Sequence, residues 1–137
     1  MATPEVRFVV PGKWQPERKR QVSRGTWTRR VDNPECLDAK TRIGVFARQA
    51  YHGPAIDVPC RLRATWRKPK PKGYRKRDLW PYKRPDLTNL LKLLEDALQD
   101  VGVLADDSLV CEQVTRKEWG DREEVEVCIE PLEEEQQ

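Results

Sequence analysis

The sequence contains little histidine, few cysteines and no long apolar run, and each scarcity excludes a class of protein. His52 is the one histidine in 137 residues, and no two of the four cysteines form a C-x-x-C pair. Because structural zinc is usually held by closely spaced Cys and His ligands, we expect no zinc site. The sequence has no apolar run of about 18 residues and no basic-then-apolar signal pattern at its start. We therefore expect a cytoplasmic protein without a membrane partner.

Acidic residues are scarce in the first 84 positions, and basic residues are scarce after them. Residues 1–84 contain 22 Lys and Arg against 7 Asp and Glu, whereas residues 85–137 contain 4 against 16. Such a division indicates a surface for a polyanion beside an acidic site. The alternative is that the two halves neutralise each other through surface ion pairs, which individually contribute little stability. The charge division alone leaves both interpretations open.

Apolar periodicity predicts a single α/β domain of the α+β type, with the element order β-α-β-α-β-β. Alternation favours strands at 6–10, 56–66, 109–119 and 124–130, and helical spacing favours helices at 39–51 and 87–100. Two helices could cover one face of a mixed four-stranded sheet. Cys60, Cys111 and Cys128 lie in these strands and are expected to be buried or half-buried. The domain is expected to span 1–131, with a disordered acidic tail at 132–137.

Two long basic segments, at 12–30 and 67–84, are predicted to be loops because glycine and proline interrupt them and no period is visible. Residues 61–84 contain eleven Lys and Arg and one acid, Asp78. Basic side chains at this density neutralise nucleic-acid phosphates, which gives an affinity that falls steeply with salt. The residues expected to contact nucleic acid are Arg18, Lys19, Arg20, Lys68, Lys70, Lys72, Arg75, Lys76 and Arg77.

A set of polar residues accompanies the amphipathic helix at 87–100. Its members along the helix and in the next loop are Asp86, Asn89, Lys92, Asp96, Asp106 and Asp107. Asn89, Lys92 and Asp96 recur at spacings of three and four, so they share one side of the helix. If the following strand packs beside the helix, the 106–107 carboxylates can meet Asp86 at its start. Carboxylates that converge with a lysine favour a hard cation such as Mg²⁺.

Each of these residues also has a simpler interpretation. Asp86 is well placed to cap the helix by accepting hydrogen bonds from its first amides. Lys92 could be solvated, or it could pair with Glu95 or Asp96. The two aspartates at 106–107 could be ordinary turn residues. Taken singly, the simpler interpretation is favoured for each residue, whereas their order and spacing together favour a site.

The order of these residues resembles the RusA family of Holliday junction resolvases. That family carries the motif P-D-x-D-N-L-x-K, then D-A-L, then D-D about ten residues later. The corresponding segments here are Pro85-Asp86-Leu87-Thr88-Asn89-Leu90-Leu91-Lys92, Asp96-Ala97-Leu98 and Asp106-Asp107. Gly12-Lys13 and the basic stretch at 18–20 resemble the family's N-terminal loop more weakly. The resemblance covers most of the chain, and the predicted element order agrees with the family's fold.

The resemblance implies a Mg²⁺-dependent endodeoxyribonuclease, with Mn²⁺ as an alternative ion, that resolves Holliday junctions by paired hydrolytic nicks in recombination and repair. By position, Asp86 and Asp107 correspond to the family's metal-binding acids, and Lys92 corresponds to its active-site lysine. Asp106 is a further candidate ligand, and Asn89 a supporting residue. The implied partners are four-way or branched DNA and a second copy in a homodimer, with no nucleotide cofactor. The resemblance also suggests a phage or prophage origin.

The sequence departs from the family motif at Thr88, where the best-known members have a second aspartate. Thr88 could bind the metal through its hydroxyl or a water, or Glu95, Asp96 or Asp106 could supply the missing charge. Loss of a carboxylate leaves open a catalytically weak or inactive protein that binds junctions. A nuclease for another branched nucleic acid, such as a flap or a structured RNA, would also combine an acidic site with basic loops.

Aromatic residues are interleaved with the basic ones. Trp14, Trp27, Tyr74, Trp80 and Tyr82 lie in or beside the two basic segments. One or more of them could stack on, or wedge between, unpaired bases at the centre of a junction. The alternative is that they anchor the loops against the core, and this is favoured for Trp80 and Tyr82 because they flank Pro81.

Overall fold

The computed structural model describes residues 4–14, 19–24, 27–32 and 34–132. In chain order its elements are β1 (Val6–Pro11), β2 (Lys19–Arg24), β3 (Trp27–Asp32), α1 (Pro34–Ala50), β4 (Cys60–Lys68), α2 (Leu87–Asp100), β5 (Val110–Trp119) and β6 (Glu124–Pro131). A short 3-10 turn at Asp107–Leu109 precedes β5. Among the described residues, no helix is long and apolar enough to cross a membrane.

A four-stranded mixed sheet forms the centre of the fold, with the strand order β1-β6-β4-β5. β4 pairs with β5 in parallel, and β6 pairs antiparallel with both β1 and β4. Alternate residues of β4, from Cys60 to Trp66, are buried on the face that the helices cover. This architecture confirms the predicted mixed four-stranded sheet with two helices, and the predicted α+β class.

α2 attaches to the sheet through a continuous apolar face. Its buried residues are Leu90, Leu93, Leu94, Ala97 and Leu98. These positions recur at three and four residues, so they share one side of a helix with 3.6 residues per turn. α1 packs against α2 and β1, and α2 packs against α1 and β5. The predicted helix at 87–100 is confirmed, with Asp86 at its N-cap.

The segment at 12–30, predicted to be a loop, contains a β-hairpin. β2 and β3 pair antiparallel from Lys19 opposite Asp32 to Arg24 opposite Trp27. The loop prediction was therefore wrong for these residues. Basic and polar residues on successive positions conceal the two-residue alternation by which a half-buried strand is recognised.

Other boundaries differ by a few residues. α1 begins at Pro34 rather than at 39, and β4 begins at Cys60 rather than at 56. Ile56 instead forms an isolated parallel bridge with Leu104, which ties the α1–β4 connection to the end of α2. The 67–84 segment is irregular after Lys68, as predicted. The predicted disordered tail at 132–137 lies outside the described residues except for Leu132.

The face of the sheet opposite the helices is covered by ion pairs. Arginines of β4 bond to glutamates of the neighbouring strands, and the partners include Arg61–Glu112, Arg63–Glu130, Arg67–Glu118 and Arg67–Glu126. Here the basic and acidic halves of the sequence neutralise each other, as the simpler interpretation of the charge division required. Cys60 and Cys128 are buried as expected, but Cys111 is exposed because β5 is an edge strand.

Leu94→Ala should lower the free energy of unfolding by about 2–5 kcal/mol, because it leaves a cavity where α2 meets the sheet. Leu94 is fully buried, whereas Val45 on α1 is 47% exposed. The control Val45→Ala should change stability by no more than about 0.5 kcal/mol. Urea unfolding followed by circular dichroism measures both. Equal losses in the two variants would contradict the proposed packing of α2.

Candidate active site

Asp86 stands at the start of α2 with its carboxylate unused by the helix. Its backbone is extended, with φ −72° and ψ 147°, and its side chain makes no capping hydrogen bond. The backbone carbonyl of Asp86 accepts the hydrogen bond from the Leu90 amide at 3.1 Å. The capping interpretation therefore holds for the backbone of this residue but not for its side chain. The exposed carboxylate remains available to a ligand.

A polar stripe on α2 faces β5 and the 3-10 turn. At 100° per residue, Thr88, Lys92, Glu95 and Gln99 fall within a sector of about 60°. Gln113 of β5 donates from its Nε2 to Glu95 Oε2 at 3.4 Å, and Gln99 Oε1 accepts from the Asp107 amide at 3.2 Å. These contacts place the C-terminal end of the stripe against β5 and against the 3-10 turn that contains Asp107.

Glu95 and Asp107 form an acidic pair at this position. Burial, together with the negative charges of Asp107 and Asp96, raises the pKa of Glu95, and the hydrogen bond from Gln113 opposes that rise. The rise reflects burial first and repulsion from the neighbouring carboxylates second. Carboxylate oxygens in such an arrangement are suitable donors for a hard cation.

Asp106 and Asp107 have different roles in the 3-10 turn. The Asp106 carboxylate accepts a hydrogen bond from the Ser108 hydroxyl, and its carbonyl accepts one from the Leu109 amide at 3.1 Å. Asp106 therefore acts as a turn residue. Asp107 is exposed, and Gln99 orients it through a hydrogen bond to its backbone amide. Of the two aspartates, Asp107 is therefore the one whose carboxylate pairs with Glu95.

Lys117 is a site residue that the sequence analysis missed. Its ammonium donates to the carbonyls of Lys83 at 3.0 Å and Pro85 at 2.9 Å, both within the three residues before Asp86. Burial and the nearby Lys68 lower the pKa of Lys117, and Asp86 opposes that change. The sequence of β5 did contain an indication of this. Positions 113, 115 and 117 are polar, although they share a face with the apolar residues 62, 64 and 66 of β4.

The predicted site residues therefore lie along one helix rather than at its start alone. Asp86 is beside Lys117, whereas Asp107 is beside Glu95, about 13 Å further along the helix axis at 1.5 Å per residue. Thr88, Asn89 and Lys92 are exposed between these two groups. Asp96 is half-buried and contributes to the potential at Glu95. The joint binding of a metal by Asp86 and Asp107 stays a prediction.

A second cluster of ligand-type atoms is explained by hydrogen bonds. In the part of the chain that the structure describes, Glu5, Cys128 and Glu130 are the one group of three whose ligand atoms lie within 4.8 Å of one another. Burial raises the pKa of the Cys128 thiol to about 12, so it remains protonated and donates to Glu5 and Glu130. Arg7 and Arg63 pair with the two carboxylates, which leaves no net charge for a cation to neutralise.

The basic segment that leads to α2 is largely exposed. Lys70, Lys72, Arg75, Lys76 and Arg77 are exposed, while Lys68 is half-buried with its ammonium 5.0 Å from the Trp14 ring centroid. Arg18 and the side chains at 19 and 20 lie outside the described part of the chain. The expected nucleic-acid contacts at 70–77 are therefore accessible, and their role stays a prediction.

The aromatic residues divide into anchors and exposed groups. Trp14 is 5% exposed, and its Nε1 donates to the carbonyls of Arg67 and Glu124, so it anchors the chain after β1. Trp80 and Tyr82 are 54% and 61% exposed, so their interpretation as core anchors was wrong. Pro81 between them is the buried anchor instead. The side chain of Trp27 lies outside the described residues.

Comparison with known proteins identifies one family. A family model described as endodeoxyribonuclease RusA matches residues 11–130, which include α2, the 3-10 turn and β5. A search of curated proteins finds no match.

Glu95→Gln should stabilise the metal-free protein near pH 7. The folded-state pKa of Glu95 lies above its ordinary value of 4.5, so its ionisation destabilises the fold as the pH rises. The gain should vanish below pH 4.5, where Glu95 is protonated in both states. Urea unfolding between pH 4 and 7 with a chelator present measures the difference. Glu112→Gln, which removes the partner of Arg61, is the control and should not stabilise.

Proposed function

The chain belongs to the endodeoxyribonuclease RusA family, and from that premise we propose that it resolves four-way DNA junctions in recombination and repair. It hydrolyses one phosphodiester bond in each of two opposed strands. The observation that carries this proposal is the acidic pair formed by Glu95 of α2, the helix that Asp86 begins, and Asp107 of the following 3-10 turn. An acidic site of this kind beside an exposed basic segment is what hydrolysis of a polyanion requires.

The carboxylates of the site are donors of the type that Mg²⁺ prefers, and Mn²⁺ is the alternative ion. They form two groups, because Asp86 lies at the start of α2 whereas Glu95 and Asp107 lie about 13 Å further along the helix. We propose that Asp86 and Asp107 bind the ion, as the family motif implies, which requires the two groups to approach each other when ion and DNA bind. Glu95 then supplies a carboxylate in place of the one that Thr88 lacks, two turns further along the stripe that faces β5. When bound, the ion polarises a phosphoryl oxygen and lowers the pKa of water.

The remaining residues of the stripe position the scissile phosphate. Lys92 lies one turn after Thr88 and presents an exposed ammonium, which stabilises the charge that develops on the phosphoryl oxygens. Lys117 holds the two carbonyls before Asp86 and so fixes the direction in which its carboxylate points. Gln99 does the same for Asp107 through the backbone amide. The acids are thereby oriented by groups that need not touch DNA.

Paired nicks imply a homodimer. A four-way junction is nearly two-fold symmetric, so two copies related by a two-fold axis would present one site to each of the opposed strands. The basic segment at 69–84 of each copy would contact phosphates next to its own site, because Lys117 joins that segment to Asp86.

The proposal is tested by a panel of equal-length substrates, each with Mg²⁺, Mn²⁺ or a chelator. The panel comprises a mobile four-way junction, linear duplex, a flap and structured RNA. We expect cleavage of the junction on two opposed strands, and only with a divalent ion. Faster cleavage of the flap or the RNA would show that the preferred substrate is another branched nucleic acid. Tight junction binding without cleavage under any ion would make the chain a junction-binding protein.

Asp86→Asn and Asp107→Asn should each reduce cleavage by at least about a hundredfold, since loss of a metal ligand removes several kcal/mol of transition-state stabilisation. Junction affinity measured without divalent ions should be unchanged or higher, because each variant removes negative charge near phosphate. Asp121→Asn, in the turn between β5 and β6, is the matched control and should cleave normally. Cleavage within about tenfold of the parent in either test variant would refute the metal-site assignment.

Three variants test whether Glu95 replaces the carboxylate missing at position 88. If it does, Glu95→Gln should be nearly as damaging as Asp86→Asn, and Thr88→Asp should lower activity by crowding a complete site. If no residue replaces it, Thr88→Asp should instead lower the ion concentration for half-maximal cleavage. Asp96→Asn measures the contribution of the adjacent acid. The measurement is a metal titration of each variant on one junction. Position 88 is excluded from the site if Thr88→Asp leaves the titration unchanged while Glu95→Gln and Asp96→Asn remain fully active.

A further inference from the structure

The segment between the basic residues and α2 ends in an exposed apolar turn. We define the Trp80 turn as residues 78–85. Leu79, Trp80 and Tyr82 are 73%, 54% and 61% exposed, whereas Pro81 is fully buried. A tryptophan and a leucine side by side in water are the least expected residues on a surface that is otherwise lysine and arginine. Their burial requires a partner outside the described chain.

The Trp80 turn is held at both ends by β5. The Trp119 indole donates to the Asp78 carbonyl at 3.0 Å, and the Lys117 ammonium donates to the carbonyls of Lys83 and Pro85. Lys117 and Trp119 are two residues apart on one strand, so both ends are held from the same face of β5. Together with the buried Pro81, these bonds present the tip in one orientation.

The aromatic rings behind the tip give it a firm support. Tyr74 packs edge-on against Trp119 and Tyr82, with ring centroids 4.7 Å and 5.6 Å apart. The Lys83 ammonium lies 4.7 Å from the centroid of the Tyr74 ring, and the Arg116 guanidinium lies 5.7 Å from that of Trp80. One face of the Trp80 ring therefore lies against a cation, while 54% of the residue is still exposed to solvent.

Electrostatics selects the partner of this turn. Arg75, Lys76 and Arg77 precede the turn, and Lys83 and Arg84 lie in it, all exposed. The one acid of the turn, Asp78, accepts a hydrogen bond from the Arg75 amide. A flat aromatic surface surrounded by cations matches a nucleic-acid base flanked by phosphates. The bond from Lys117 to Pro85 places this surface next to Asp86. Bases of an intact duplex are stacked, so they are accessible to it only where the helix is interrupted.

We propose that Leu79 and Trp80, at the tip of the Trp80 turn, contact unstacked bases at the centre of branched DNA. This inference rests on the proposed function, and it assigns recognition of the branch point to a segment separate from the phosphate-binding lysines. The turn then gives a preference for branched over linear DNA, because unstacked bases are available at a branch point and not along a duplex arm. The basic residues supply affinity for any DNA.

The test compares Trp80→Ala, Leu79→Ser and Trp80→Phe with the parent. Binding is measured with a chelator present, on a four-way junction, on a duplex with the sequence of one arm and on single-stranded dT20. Trp80→Ala should weaken junction and dT20 binding by about 5- to 150-fold, the range set by base–aromatic stacking, with duplex binding unchanged. Trp80→Phe should retain most of the affinity. 2-Aminopurine at the branch should report base contact in the parent and lose that signal in Trp80→Ala.

The matched control is Val45→Ser, which removes an exposed apolar side chain from α1 and should alter nothing. Equal losses on junction and duplex would overturn the proposal, as would unchanged binding of all three substrates. Loss of binding to phosphatidylserine vesicles alone, or conversion of a dimer to a monomer, would assign the turn to a lipid surface or to a second copy and refute it. If the parent prefers duplex to junction, the proposed function fails, while dT20 binding still tests the turn.

Discussion

The burial of one face of α2 against the sheet determines where the polar residues of the site can lie. Leu90, Leu94 and Leu98 fix the rotation of the helix about its axis, and the stripe from Thr88 to Gln99 must then face the edge strand. Because β5 carries Gln113 and Lys117 on the same face, both sides of that contact are polar. The acids are thus held at the margin of the core, half-buried on one side and accessible on the other. That intermediate exposure is what raises the pKa of Glu95 while leaving Asp107 open to a ligand.

The charges of the chain serve two different purposes. On the open face of the sheet, the arginines of β4 are matched by glutamates of β5 and β6, and this region has little potential left to attract DNA. Between β4 and α2 the basic residues are exposed and largely unmatched by acids within the segment, where Asp78 is the one acid. The exposed basic residues therefore lie in the segment that leads to Asp86. Mutual neutralisation is therefore confirmed for the open face of the sheet, whereas the polyanion surface stays a prediction for the exposed basic segment.

The sequence was sufficient to predict whatever depends on local periodicity and spacing. The strong apolar period of α2 and the alternation in β4 and β6 fixed the element order, and the motif spacing indicated which acids to consider. The hairpin at 19–32 was missed because its residues show no apolar alternation. The polar positions 113, 115 and 117 of β5 indicated an unusual face, but they could not show what Lys117 contacts, because its partners lie 32 and 34 positions earlier. The proximity of Asp107 to Glu95, rather than to the helix start, depends likewise on the direction in which β5 runs along α2.

The parallel pairing of β4 with β5 has a consequence for how the protein reaches its native state. Arg61 and Glu112 face each other across 51 positions of chain, and the connection between their strands contains the basic segment, α2 and the 3-10 turn. Closing a loop of this length carries an entropic cost that is repaid only when the two strands have paired. Lys117 meets Pro85, and Gln113 meets Glu95, from the strand that this pairing places beside α2. The closure of the sheet and the arrangement of the acids therefore depend on the same strand, so whatever displaces β5 disturbs both together.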